Sequence, residues 1–260
     1  MNRFLFLTAT IALGALAPAL AQNPFGPPPP PRKQDRSSAL IDPTGNWVSV
    51  VSEDWRWRML TPLRGDAASI PINKAARVIV DAWDPAKDET AGLQCKAYGA
   101  PGIMRLPGRF HITWQDDTTL KIETDYGTQT RLFHFSGKPS ADVQPSWQGY
   151  SAANWEEGPG GLGGLGLGLG PRFGTVSQSL EVTTTRLLGG YLRKNGVPYS
   201  ENTVLKEYYD RWSEPNGDEW LTVTTIVTDP TYLAQPFVTT TDFKKEPAGA
   251  RWDPTPCNPR

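Results

Sequence analysis

From Arg109 to Lys244 the chain is a succession of short segments in which apolar and polar residues alternate, broken by Gly, Pro, Asn and Asp. Alternation with a period of two sends successive side chains to opposite faces of a strand. The Thr, Val, Tyr, Trp and Phe that dominate these segments fit a pleated, half-buried surface. Strands are expected over residues 109–114, 118–124, 128–135, 179–187, 203–212, 219–228 and 237–244, with an earlier one over 47–51 opened by Gly45-Asn46-Trp47. Trp55-Arg56-Trp57-Arg58-Met59 also alternates and reads as a further strand with its aromatics inward. One short helix is expected near residues 73–83: Asn73 is a good cap, Ala76, Val80 and Trp83 share a face, and Pro85 stops it. Eight or nine strands with so little helix predict a mainly β domain, an antiparallel barrel or a barrel-like sandwich.

The ends of the chain follow different rules. Met1-Asn2-Arg3, an apolar run and Ala19-Leu20-Ala21 form the basic, apolar and small-residue regions that signal peptidase reads. Residues 1–21 are therefore expected to be a signal peptide; the run is short for a membrane span and is interrupted by Gly14 and Pro18. Residues 22–40 contain the run Pro27 to Pro31, whose extended backbone cannot join a sheet ladder, and are expected to be a disordered tether. Residues 41–260 form the single domain. Within it, 158–171 alternate Gly with Leu; without a strand before and a helix after, they read as a flap rather than a phosphate cradle.

The charges nearly cancel, and no cluster of bases forms a nucleic-acid footprint, so no nucleic-acid partner and no membrane span are expected. Cys95 and Cys257 are the two cysteines. In a periplasmic or secreted protein two cysteines usually pair, the alternative being two free thiols. The bond would tie the C-terminal end to the middle of the chain.

Candidate chemistry centres on the two histidines. A two-residue turn at Tyr126-Gly127 sets Glu123 opposite Thr130 and groups Lys121, Glu123, Thr130, Leu132 and His134 on one face. A two-residue turn at Asp116-Asp117 adds Phe110, Ile112 and Trp114 to it. One loop residue more or fewer reverses the sides and brings His111 beside Glu123. A carboxylate next to an imidazole can tune its pKa and fix its tautomer. Glu123, His134 and His111 are thus the candidate catalytic residues, against the alternative of ordinary polar residues in or on a barrel. No tight ligand spacing supports a metal, and no cofactor is expected. The ten tryptophans fill a β core by default and also line pockets for flat ligands. Trp114, Arg131, Trp147, Tyr150 and Trp155 are the candidate ligand-binding residues.

Several stretches resemble a largely uncharacterised bacterial family of secreted, lipocalin-like β-barrel proteins. They include Cys95 with Ala100-Pro101-Gly102-Ile103-Met104-Arg105, Pro145-Ser146-Trp147-Gln148-Gly149-Tyr150-Ser151 with Trp155-Glu156, and Val227-Thr228-Asp229-Pro230-Thr231-Tyr232. The family runs Trp-Glu-Gly-Asp directly into its next strand, where this chain has Trp155-Glu156-Glu157 and the glycine tract. The resemblance implies a barrel with a cavity and supplies no reaction. Two functions are therefore expected in order. The first is an exported protein binding a small apolar or aromatic molecule in the barrel. The second is a cofactor-independent acid/base enzyme, a lyase, isomerase or hydratase, using the Glu/His pair.

Overall fold

Strand β1 (Gly45–Val50) pairs on one edge with β2 (Arg109–Asp116) and on the other with the last strand, β11 (Phe237–Glu246). That double pairing closes the sheet and leaves no open edge. Around the ring, β2 is followed by β3 (Thr119–Thr124), β4 (Thr130–His134), β5 (Tyr150–Gly158), β6 (Ser177–Thr185), β9 (Val204–Ser213), β10 (Glu219–Thr228) and β11. The ring has nine strands. An odd ring cannot alternate direction throughout, and the one parallel neighbour pair is β4 with β5, joined only over Phe133–Ser151 and His134–Ala152. Parallel neighbours need a crossover, which residues 135–149 supply. The computed structural model describes residues 33–135, 137, 139–158 and 177–259. The expected signal peptide, the proline run and nearly all of the glycine segment lie outside them. Among the described residues no helix is long and apolar enough to cross a membrane.

The alternation read in the sequence fills the lumen. Trp47, Phe110, Phe133, Tyr209 and Phe243 point inward and are fully buried. Phe110 meets Phe243 edge-on at 4.7 Å, and Phe133 meets Tyr209 at 5.5 Å. The Trp47 indole donates to the Pro43 carbonyl at 2.9 Å, so its one polar atom is satisfied. At one end Trp114, Phe135 and Trp155 close the barrel, with the Phe135 and Trp155 rings 5.0 Å apart. Residues 33–41 seal that end. The Trp155 indole donates to the Asp35 carbonyl at 2.9 Å, Arg36 N–H donates to the Asp117 carbonyl at 2.8 Å, and Leu40 and Ile41 pack on the core. Residues 33–40, the last of the expected tether, are thus held on the barrel end by the buried Trp155 indole and by backbone groups.

The opposite end carries a cap made of α1 (Trp55–Arg58), α2 (Lys74–Ala82), α3 (Pro85–Thr90), a 3-10 turn (Gln94–Tyr98), α4 (Ala100–Ile103) and the hairpin of β7 (Gly190–Arg193) and β8 (Val197–Tyr199). The cap buries its own apolar cluster, including Val80, Leu192, Val197 and Tyr199, against Leu205, Val227 and Phe237 of the barrel. Cys95 and Cys257 form a disulfide across 162 positions, stapling the C-terminal tail to this cap. Trp55–Arg58 is helical, not a strand, with Met59 as its C-cap. Asp54 O accepts from Trp57 and Arg58, Met59 N–H reaches Trp55 O, and Trp55 faces solvent. Four residues that alternate also complete one helical turn, and with no neighbouring edge free the turn wins.

The expected helix is present as α2. Asn73 Oδ1 accepts from Ala76 N–H at 3.1 Å, and Asn73 Nδ2 donates to Thr231 O at 2.8 Å. Asn73→Ala removes both the cap and the tie to the barrel. Urea unfolding should show a loss of about 1–2 kcal/mol with an unchanged m-value.

Candidate functional site

Glu123 lies on the outer wall of the barrel, opposite His111 on β2 and Thr130 on β4. The β3–β4 register is the one expected. The β2–β3 register is not, because β2 carries an irregularity between Trp114 and Asp116. The Asp116 carboxylate accepts from Thr118 N–H at 2.8 Å and Thr118 Oγ1 at 3.0 Å, which moves the turn to Asp117-Thr118. The shift turns Phe110 and Ile112 inward with Leu120, Ile122 and Phe133, and turns Glu123, His134 and His111 outward. Glu123 pairs with Lys121 at 2.9 Å. His111 stacks on Trp252 at 3.9 Å, and His134 stacks on Tyr150 at 4.7 Å. Partial burial lowers the His134 pKa, partly countered by Asp116. Among the described residues no hydrogen bond joins Glu123 to either imidazole, so the expected acid/base pair is not assembled in the lumen.

The candidate ligand-binding residues do not share a cavity either. Trp114 and Trp155 belong to the sealed end. Tyr150 is on the outer wall, its hydroxyl donating to Gly137 O at 3.0 Å. Trp147 lies in the crossover, where its carbonyl accepts from Ala100 N–H at 2.9 Å. Arg131 does point into the lumen, but it is engaged there. Its Nη1 and Nη2 donate to the Glu207 carboxylate at 3.0 and 2.6 Å, with both side chains wholly buried. Tyr209 Oη and Thr184 Oγ1 complete the cluster at 3.4 Å each from the guanidinium.

One of the cavities lies in the cap. A cavity of about 170 Å³ opens beside α1, lined by Trp57, Tyr98, Leu106, Tyr126, Leu192 and the side chains of Arg58, Arg105, Arg193 and Lys194. Its parts come from separate elements: α1, the Gln94–Tyr98 turn, the lead into β2, the β3–β4 turn and β7. Tyr126 reaches it because Gly108 has no side chain; a Cβ there would lie 2.0 Å from the Tyr126 ring.

The charges around this cavity are held from behind. Arg105 Nη2 donates to Asp54 Oδ2 at 2.7 Å, and Asp54 is in the left-handed region at φ 51°, which Asp tolerates better than most residues. Arg58 Nη1 is paired with Glu53, and Arg58 Nε donates to Arg105 O at 2.9 Å. Arg193 donates to Ala68 O at 3.0 Å and Ser69 Oγ at 3.2 Å, and its guanidinium lies 5.2 Å from the Trp57 ring centre. Burial lowers the Arg58 pKa, and burial with the Arg105 charge brings Arg193 down to about 10. Both remain cations at neutral pH. Burial, helped by Asp125, pushes the Tyr126 phenol up, so its hydroxyl stays protonated. Arg58 Nη2, Arg105 Nη1 and Tyr126 Oη are buried with no protein partner. Each such atom costs about 1–3 kcal/mol.

Sequence reasoning missed this site. Arg58 was visible only within the alternating segment 55–59, and Arg105, Tyr126, Arg193 and Lys194 are spread over 90 residues with no common motif. Only the docking of the cap on the barrel brings them together.

No family model matches the chain, and no solved structure matches it. A stretch of 96 residues is 30% identical to the ribosome biogenesis protein ERB1 of Eremothecium gossypii, covering 35% of this chain and 11% of that protein. The chain thus spans about a tenth of that protein's length, an extent that fixes neither a family nor an activity.

Proposed function

We propose that this is an exported binding protein that holds a small aromatic molecule in the cap cavity at the mouth of the barrel. The observation that carries this reading is a cavity walled by Trp57, Tyr98 and Tyr126 beside a lumen already filled by its own side chains. An apolar cavity of about 150 Å³ accepts benzene, so a space of about 170 Å³ suits a single ring with a small substituent. The Cys95–Cys257 bond supports an oxidising compartment, in keeping with the signal-like N-terminus and with the secreted family that the sequence resembles. The acid/base alternative has less behind it, since Glu123 and the histidines lie outside the barrel.

Ligand-observed NMR on the full chain with phenol, benzyl alcohol and benzoate tests the reading. At least one should bind saturably, and Trp57→Ala should weaken it roughly tenfold, the loss of one aromatic wall. Saturation by none of them, or equal binding by Trp57→Ala, would exclude the cap cavity as the binding site.

A further inference from the structure

Resting on that reading, we infer that the cap cavity is built for an aromatic carboxylate, with the ring between Trp57 and Tyr98 and the acid group on Arg58, Arg105 and Tyr126. The lining supplies four cationic side chains and no carboxylate. An apolar guest alone would leave those charges facing hydrocarbon, the arrangement that burial penalises most. The acids nearby do not occupy the cavity. Glu53 pairs with Arg58 Nη1 and Asp54 with Arg105 Nη2, leaving the other terminal nitrogen of each, on side chains that line the cavity, buried without a protein partner. Those two nitrogens and the unpartnered Tyr126 hydroxyl are donors, all three on side chains more than nine-tenths buried. A planar carboxylate has two oxygens with lone pairs enough for three such donors.

Two further features fit an anion. Lys194 has no carboxylate partner among the described residues and lies 5.6 Å from the Tyr98 ring centre, adding positive charge to the mouth. The Arg105 charge also lowers the proton affinity of Arg58 and of Arg193, a repulsion that a bound negative charge relieves. The flat walls and the cavity's size select a ring-bearing acid over a compact inorganic anion. The cavity has room for little more than that one ring.

Isothermal titration of the full chain with benzoate, benzyl alcohol and inorganic phosphate separates the cases. Benzoate should bind at least tenfold tighter than benzyl alcohol, its neutral counterpart, and tighter than phosphate. Tyr126→Phe, which removes only the free hydroxyl, should weaken benzoate about fivefold and leave benzyl alcohol unchanged. Arg58→Met and Arg105→Met should lose the preference for benzoate, but each also strands an acid, so the tyrosine variant is the decisive one. Equal binding of benzoate and benzyl alcohol would overturn the carboxylate assignment while leaving an aromatic site. Phosphate binding as tightly as benzoate would overturn the requirement for a ring. Binding of none of the three would overturn both this inference and the reading on which it rests.

Discussion

Glu207→Gln is expected to be the most damaging conservative substitution in the protein, lowering stability by about 3–5 kcal/mol. Glu207 and Arg131 are wholly buried in the lumen, and each is the other's charge partner. The glutamine amide keeps one acceptor for the guanidinium but sets its NH2 donor against the other, so the Arg131 charge is left uncompensated in a low-dielectric interior with one hydrogen bond lost. Arg131 is already short of one partner, because its Nε has none. The pair itself is a poor source of stability, since both groups were taken out of water to make it. Arg131→Met with Glu207→Leu should therefore recover most or all of the loss. Chemical denaturation of the two single variants and the double variant measures this directly. If Glu207→Gln costs less than about 1 kcal/mol, water reaches the pair and the lumen is not dry.

The second large effect is expected from the disulfide. Cys95→Ser with Cys257→Ser opens a loop spanning 162 positions. Chain entropy alone assigns such a closure about 5 kcal/mol, and removal of native disulfides typically costs about 2–5 kcal/mol. For a domain of this size each kcal/mol moves the midpoint by about 2–4 °C. The loss should be concentrated in the cap and the adjoining β3–β4 turn, where Thr255 N–H of the tail donates to Asp125 O at 2.7 Å and Thr255 O accepts from Thr128 Oγ1 at 3.0 Å. Hydrogen exchange should accelerate at Gln94–Tyr98 and the β3–β4 turn before it does in β10. Uniform acceleration over the whole barrel would mean that cap and barrel unfold as one unit.

The barrel was legible in the sequence because alternation is a local signal. Glu219–Thr228 occupies the expected segment, and 109–114, 203–212 and 237–244 differ from the observed strands only at their ends. β5 was not recognised: Tyr150–Gly158 carries Ser, Ala and Asn beside the glycine tract and looks like a loop. The site was less legible, for two physical reasons. A one-residue irregularity near Gln115 reverses which side of β2 faces inward, and no composition rule announces it. The cap arginines are brought together by packing over long sequence separations, which no local period encodes. Glu123 opposite His111 was one of the registers weighed. What local pairing could not tell was that this face is the outer wall.

Backbone amide chemical-shift mapping on the full chain, with whichever single-ring ligand binds tightest, tests the central claim that guests lodge at the capped mouth. Shifts are expected to centre on Trp57, Arg58, Arg105, Tyr126 and Lys194, with Phe133, Tyr209 and Phe243 undisturbed. Shifts centred on those three lumen residues instead would contradict that claim.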